Sequence, residues 1–378
     1  MLKKTRKGEM NIHLIAAARP NFMKIAPLYH ALKKEPWACP IIVHTGQHYD
    51  LNMSDVFFKD FGLPEPDIHL NVGSGTHAEQ TGNVMIAYEK ILMASRPDLV
   101  IVVGDVNSTI AATLAAVKLG VKVAHLEAGL RSFDRTMPEE INRLVTDTLV
   151  DILWTPSPDG DQNLLREGVS QEKIHRVGNI MIDSLVMMLD KIQSDSGYKR
   201  LNMARGNYGL VTLHRPGNVD SLEKLKEICG ILVNISTKLP IVFPVHPRTR
   251  NNLRKEGLWA QLENAKGITL TEPLGYIQFM NLVCNSKFLL TDSGGVQEET
   301  TYLGIPCLTL RPNTERPVTV TQGTNTLCRL DNVAQMVERI LLGGYKKGEI
   351  PDLWDGCTAS RIVAHITETF HLPHSSQR

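Results

Sequence analysis

Asp98-Leu99-Val100-Ile101-Val102-Val103-Gly104-Asp105-Val106-Asn107-Ser108 is the stretch that decides the fold. Its β-branched run reads as a strand over Asp98–Val103, ended by a glycine and an acid. Ser108–Leu119 has helical spacing and opens on a residue suited to the N-cap. Lys122–Leu126 reads as the next strand. Strand, crossover helix and strand in that order predict a parallel sheet.

Outward from this unit the same alternation continues. Asn11–Ala17, Pro40–Thr45 and Ile152–Thr155 are further strand candidates, and His77–Ala94 is helical by spacing. In the second half Gly209–Leu213, Pro240–Val245, Ile268–Leu270, Lys287–Leu290 and Pro306–Leu310 repeat the theme. The expected class is α/β, two doubly wound Rossmann-like domains facing a cleft. A chain of 378 residues suits two domains of about 150–200 residues each. The polar segment Gln193–Asn207 separates the halves after a connecting helix that starts near Ile180. The predicted domains are therefore 1–178 and 179–356.

Composition narrows the function classes. Lys plus Arg number 41 against 40 Asp plus Glu, which leaves no electrostatic footprint for nucleic acid or an anionic membrane. Six scattered cysteines without a C-x-x-C pair suit reduced thiols in a cytosol, so a cytoplasmic location is expected. The basic N-terminus is not followed by a signal-like run, and no stretch reaches the roughly 18 apolar residues of a membrane span. Gly73-Ser74-Gly75-Thr76-His77-Ala78 fits the loose dinucleotide pattern but lies far beyond the first strand, so it reads as a loop before a helix. His44 and His48 flank Gly46 in a loop without a nearby third ligand, and no metal or cofactor is expected.

Four motifs sit where strands end, the place where open α/β sheets bind ligands. In Ala18-Arg19-Pro20-Asn21-Phe22-Met23-Lys24, Arg19 and Lys24 suit phosphates, because cations are unfavourable at a helix start unless an anion is bound there. Asp105 and Glu127 each follow an apolar strand directly and should emerge at one rim. Met137-Pro138-Glu139-Glu140-Ile141-Asn142-Arg143 opens a helix with Pro138 as its first residue, where one glutamate could serve the helix dipole alone. Three acids at one cleft would raise one another's pKa, as acid–base chemistry near neutral pH requires. Leu213-His214-Arg215-Pro216 ends the first strand of the second domain. Thr291-Asp292-Ser293-Gly294-Gly295-Val296-Gln297-Glu298-Glu299 runs from a strand into a helix whose N–H groups can hold a diphosphate.

In combination and order these residues resemble the non-hydrolysing UDP-N-acetylglucosamine 2-epimerases, whose fold is of the glycosyltransferase-B type. The resemblance runs from about Asn11 to Leu330 and adds Gly46-Gln47-His48 and Thr314-Glu315-Arg316-Pro317. It implies a UDP-sugar substrate, a homodimer, and a helix at 357–372 that packs back onto the first domain. It also implies a catalytic group of Asp105, Glu127, Glu139 and His214. Arg19, Lys24 and Arg316 would contact diphosphate or sugar, Phe279 the uracil, Ser293, Gly294 and Gly295 the phosphate, and Glu299 the ribose. Tyr49-Asp50 after Gln47-His48, and Gly217 after His214-Arg215-Pro216, depart from the common pattern. Weak or absent activation by a second substrate molecule is the expectation.

That resemblance implies chemistry that explains the acids. Carbon 2 of the sugar has no adjacent carbonyl, and no nicotinamide site is present to create one. Elimination of UDP from C1 with loss of the C2 proton, then re-addition with protonation from the other face, needs two acid–base groups. Which acid serves which face stays open. So do a 2-epimerase for a diacetamido uronic acid sugar, a hydrolysing epimerase, a glycosyltransferase of the same fold and a non-catalytic sensor.

Overall fold

The computed structural model describes residues 8–17, 19–46 and 58–373, and structural statements refer to these. The chain divides into two compact units, Met1–Met187 with Asp352–Arg378, and Met188–Pro351.

In the first unit the strands are β1 (Met10–Ala16), β2 (Ala38–His44), β3 (Ile68–His69), β4 (Leu99–Val103), β5 (Val123–Leu126), β6 (Ile152–Thr155) and β7 (Ile174–Arg176). They form one parallel sheet in the order β3-β2-β1-β4-β5-β6-β7. All five residues of β4 are buried, as a strand covered by helices on both faces must be. The order reverses between β1 and β4, so the segments leaving their carboxyl ends diverge and open a crevice.

In the second unit β8 (Gly209–Thr212), β9 (Ile241–Pro244), β10 (Ile268–Thr271), β11 (Phe288–Thr291), β12 (Cys307–Leu310) and β13 (Asn325–Cys328) are ordered β10-β9-β8-β11-β12-β13. Its pairs are parallel as well, and its switch point lies between β8 and β11. A core runs from Val211 and Leu213 through Phe243 and Phe288 to Leu308 and Ile340. Among the described residues no helix is long and apolar enough to cross a membrane.

Several details differ from the sequence expectation for physical reasons. The edge strands β3, β7 and β13 escape pattern reading because they are short and half polar, as sheet edges often are. The helix expected at Ser108 begins at Asn107, and no side chain caps it. Ser108 Oγ instead meets Thr45 Oγ1 at 2.8 Å. The helix over His77–Ala94 follows expectation, with Thr76 and Glu79 forming a reciprocal capping box.

The division between units falls at Met187, inside the helix Ile180–Ser194. Its first half is fastened in the first unit, where Ser184 Oγ donates to the Met23 carbonyl and Asp183 accepts from Thr358 N and Ala359 N. Its second half belongs to the other unit, where Asn281 Nδ2 donates to Ile192 O. An uninterrupted helical period cannot report which half packs where. The helix Thr358–Thr369 packs against Arg19–Lys33.

One glycine carries a prediction. Gly129, at φ +79°, would place an alanine Cβ 2.4 Å from the Gly160 carbonyl oxygen, a backbone atom with no room to yield. Gly129→Ala should cost at least about 1–3 kcal/mol. The effect is read as a lower urea midpoint with an unchanged slope.

Candidate active site

In the first unit β1, β4 and β5 end side by side and bring three segments together. Asn21, in the first turn of the helix Arg19–Lys33, donates to the Val103 carbonyl at 3.0 Å and ties that helix to the end of β4. Lys24 and Glu127, 7% and 4% exposed, form a direct ion pair. Gly104 makes room for it, since a Cβ there would lie 3.1 Å from Lys24 Nζ. Glu127 has φ +73°, a left-handed conformation that non-glycine residues adopt at a cost. Its Oε1 is buried without a hydrogen-bond partner among the described residues.

Asp105, its side chain 34% exposed, pairs with the guanidinium of Arg143, which is almost fully buried. Asn142 Nδ2 donates to the Asp105 carbonyl at 2.9 Å and steadies the same turn. Glu140 accepts from Ser132 N at 3.0 Å, Ser132 Oγ at 3.0 Å and Phe133 N at 2.9 Å, and pairs with Arg143. Burial pushes the Glu140 carboxyl up, but these donors and the guanidinium outweigh it and hold it below the ordinary range. Glu140 is thus a structural clamp that aims Arg143 at Asp105. Glu139 is half-buried at the same helix start.

Two pairings here escape sequence reading. Lys24 is held by Glu127. Asp105 and Glu127 do not simply repel, because each carries its own cation. The reason is distance along the chain: Lys24 and Glu127 lie 103 residues apart, beyond any local pattern. Arg19 opens its helix, and its side chain, like Ala18, Gln47, His48, Tyr49 and Asp50, lies outside the described residues.

In the second unit the switch point is organised by Asp292, which is fully buried after β11. Its carboxylate accepts from His214 N at 3.1 Å, Arg215 N at 2.9 Å and Asn218 Nδ2 at 3.1 Å, and lies 3.0 Å from His214 Nδ1. Burial raises its pKa, but the bonds from His214, Arg215 and Asn218 leave it below the ordinary value. His214 is thereby fixed with its side chain 39% exposed. The ring of His246 lies 5.5 Å away, and burial together with His214 lowers its pKa.

Ser293, Gly294 and Gly295 lead into the helix Val296–Leu303 as half-buried residues. A Cβ on Gly294 would strike Glu315 Oε1 at 2.6 Å and lie 3.1 Å from an Arg316 terminal nitrogen. The missing side chain therefore brings the backbone turn against the arginine. Arg316 Nε is 2.8 Å from Glu298 Oε1, and its guanidinium also meets Glu315. Despite burial, Arg316 and Arg311 hold Glu315 far below the ordinary carboxylate range. Glu299 Oε1 accepts from Tyr276 Oη at 2.7 Å, and Phe279 is half-buried on the helix Tyr276–Asn285. Sequence reading named Asp292, Arg143 and Glu298 only as parts of motifs and missed Arg311. Their charge was visible, their partners were not. Among the described residues no group of three His, Cys, Asp or Glu side chains is arranged to hold a metal ion.

Residues 30–367 match the family model described as UDP-N-acetylglucosamine 2-epimerase. The chain is 43% identical over 368 residues to the UDP-N-acetylglucosamine 2-epimerase of Methanocaldococcus jannaschii, covering 95% of this chain and 99% of that protein. To the UDP-2,3-diacetamido-2,3-dideoxy-D-glucuronate 2-epimerase of Pseudomonas aeruginosa it is 41% identical over 321 residues, 84% of this chain and 88% of that one. The crystal structure of the Methanocaldococcus jannaschii enzyme in complex with UDP-GlcNAc and UDP superposes with a TM-score of 0.86 at 42% identity, covering 95% and 100% of the two chains. With two parallel α/β units, the fold is of the glycosyltransferase-B type.

Proposed function

The chain belongs to the UDP-N-acetylglucosamine 2-epimerase family, and from that premise we propose that it interconverts UDP-N-acetylglucosamine and UDP-N-acetylmannosamine without releasing the free sugar. The observation that carries the reading is Glu127. It is a buried carboxylate whose Oε2 is pinned by Lys24 and whose Oε1 has no partner among the described residues, at the carboxyl end of β5 beside the switch point between β1 and β4.

The proposed reaction is elimination and re-addition. A carboxylate oxygen takes the C2 proton, the C2–H electrons form the C1=C2 double bond, and the C1–O bond breaks with its electrons passing to the departing diphosphate. The products are 2-acetamidoglucal and UDP. Re-addition of UDP at C1, with a proton delivered to the opposite face of C2, gives the manno epimer. We assign Glu127 Oε1 to one face, and Asp105 or Glu139 to the other. His214, the Ser293–Gly295 turn and Arg316 would stabilise charge on the leaving diphosphate. Phe279 would lie against the uracil and Glu299 would hold the ribose. Work as a homodimer in the cytoplasm belongs to the same proposal.

A second reading, action on a UDP-diacetamido uronic acid, draws support from the nearly equal identity to the Pseudomonas aeruginosa relative. Incubation with each sugar nucleotide in deuterium oxide, followed by NMR, separates them. Deuterium at C2 of UDP-N-acetylglucosamine, with the manno epimer appearing, is the expected result. Deuterium in the uronic acid substrate alone transfers the proposal to that sugar, free N-acetylmannosamine points to hydrolysis, and exchange in neither sinks it.

A further inference from the structure

His125 and Asp147 lie behind the two acid-bearing turns. His125, fully buried on β5, places Nε2 2.8 Å from the Gly104 carbonyl oxygen and Nδ1 2.6 Å from Asp147 Oδ1. A carbonyl oxygen can only accept, so Nε2 carries the proton of that bond. Asp147, 2% exposed on the helix Pro138–Leu149, accepts at Oδ2 from Gly129 N at 3.0 Å and pairs there with Arg131 at 2.7 Å. Arg131 is itself held by a two-pronged bond to Glu167.

Gly104 directly precedes Asp105, and Gly129 follows Glu127 by two residues. Both glycines are in left-handed conformations, with φ +68° and +79°. One carboxylate therefore ties both turns, the first through His125 and the second directly. Burial pushes the Asp147 carboxyl up, but His125 and Arg131 hold it below the ordinary range. A buried charged cluster of this kind is a poor source of stability, because well-packed apolar residues often do as well or better. What it supplies is fixed geometry.

We infer that Asp147 and His125 are positioning residues that set the spacing between the Asp105 and Glu127 carboxylates. The inference rests on the elimination chemistry proposed above, in which both carboxylates approach the same sugar carbon. Misplacement by about 1 Å can lower a rate by about 10²-fold.

Three single variants of the full-length enzyme test it, on whichever UDP-sugar the wild type deuterates at C2. His125→Asn keeps a donor toward Asp147 but cannot reach Gly104, whereas His125→Gln keeps the reach to Gly104. Asp147→Asn keeps the volume and weakens both ties. The first and third should lower kcat by about 10²-fold, with KM and UDP affinity within about threefold. His125→Gln should recover most of the loss. Melting curves give the folded fraction used to normalise each rate. A His125→Asn enzyme within about threefold of wild-type kcat, or a His125→Gln enzyme no better than it, overturns the inference. If His125→Asn does not fold, Asp147→Asn against His125→Gln decides, and equal rates overturn it. A wild type that deuterates no UDP-sugar removes the reaction and this inference with it; unchanged variants of an active wild type remove the inference alone.

Discussion

Glu127→Gln is expected to lower kcat for C2 exchange by about 10²–10⁴-fold, the range that a positioned general base contributes. Glutamine keeps the size and an acceptor for Lys24 but cannot take the proton. It also leaves the Lys24 cation, 7% exposed, without its countercharge. Breaking a buried pair from one side costs about 3–5 kcal/mol. Loss of stability alone could therefore imitate loss of chemistry. The double variant Lys24→Met, Glu127→Gln separates the two, since an uncharged pair in a buried site is tolerated far better than a lone charge. Denaturant midpoints should recover in the double variant while kcat stays low. If kcat returns together with the midpoint, Glu127 acts through the fold and the base lies elsewhere.

Asp292→Ala should be the most damaging single change in the second unit. It deprives the half-buried His214 N and Arg215 N of their acceptor and leaves Asn218 Nδ2 only the Leu310 carbonyl, a loss of about 2–4 kcal/mol in total. It also releases His214 from the end of β8, so UDP affinity should fall along with the urea midpoint. The pH dependence gives a second readout. Asp292 and Glu315 both have folded pKa values below the ordinary carboxylate value of about 4. A depressed pKa contributes stability that is complete above the unfolded value and is lost as pH falls through the folded one. Wild-type stability should therefore drop as pH falls below about 4, and Asp292→Ala should flatten part of that drop. Equal slopes for wild type and variant in urea titrations at roughly pH 2.5–5, a window that brackets the free carboxylate value, would count against this account of Asp292.

Much of the candidate site was legible because strand ends are marked locally. Asp105, Glu127, His214 and the Ser293–Gly295 turn all follow apolar runs, and all sit at the carboxyl ends of observed strands. Roles were less legible than places. Glu139 and Glu140 are neighbours of one type in one helical turn, yet the fold commits Glu140 to Ser132, Phe133 and Arg143. Lys24 looked like a phosphate ligand because a cation at a helix start wants an anion. The anion beside it in the fold is Glu127.

The buried run Leu99–Val103, its glycine and acid, and the strand and helix periods that recur on either side determined on their own the α/β class and the alternation of elements. They also placed the chemistry at strand ends, because burial on both faces and helical amphipathicity are written into neighbouring residues. Only the tertiary structure decided that Lys24 meets Glu127, that Arg143 meets Asp105, and that Asp292 fixes His214 across 78 residues of chain. The physical reason is that a charged side chain carries no mark of its partner. The sheet order brings distant strand ends within hydrogen-bonding reach, and burial then makes each pairing obligatory.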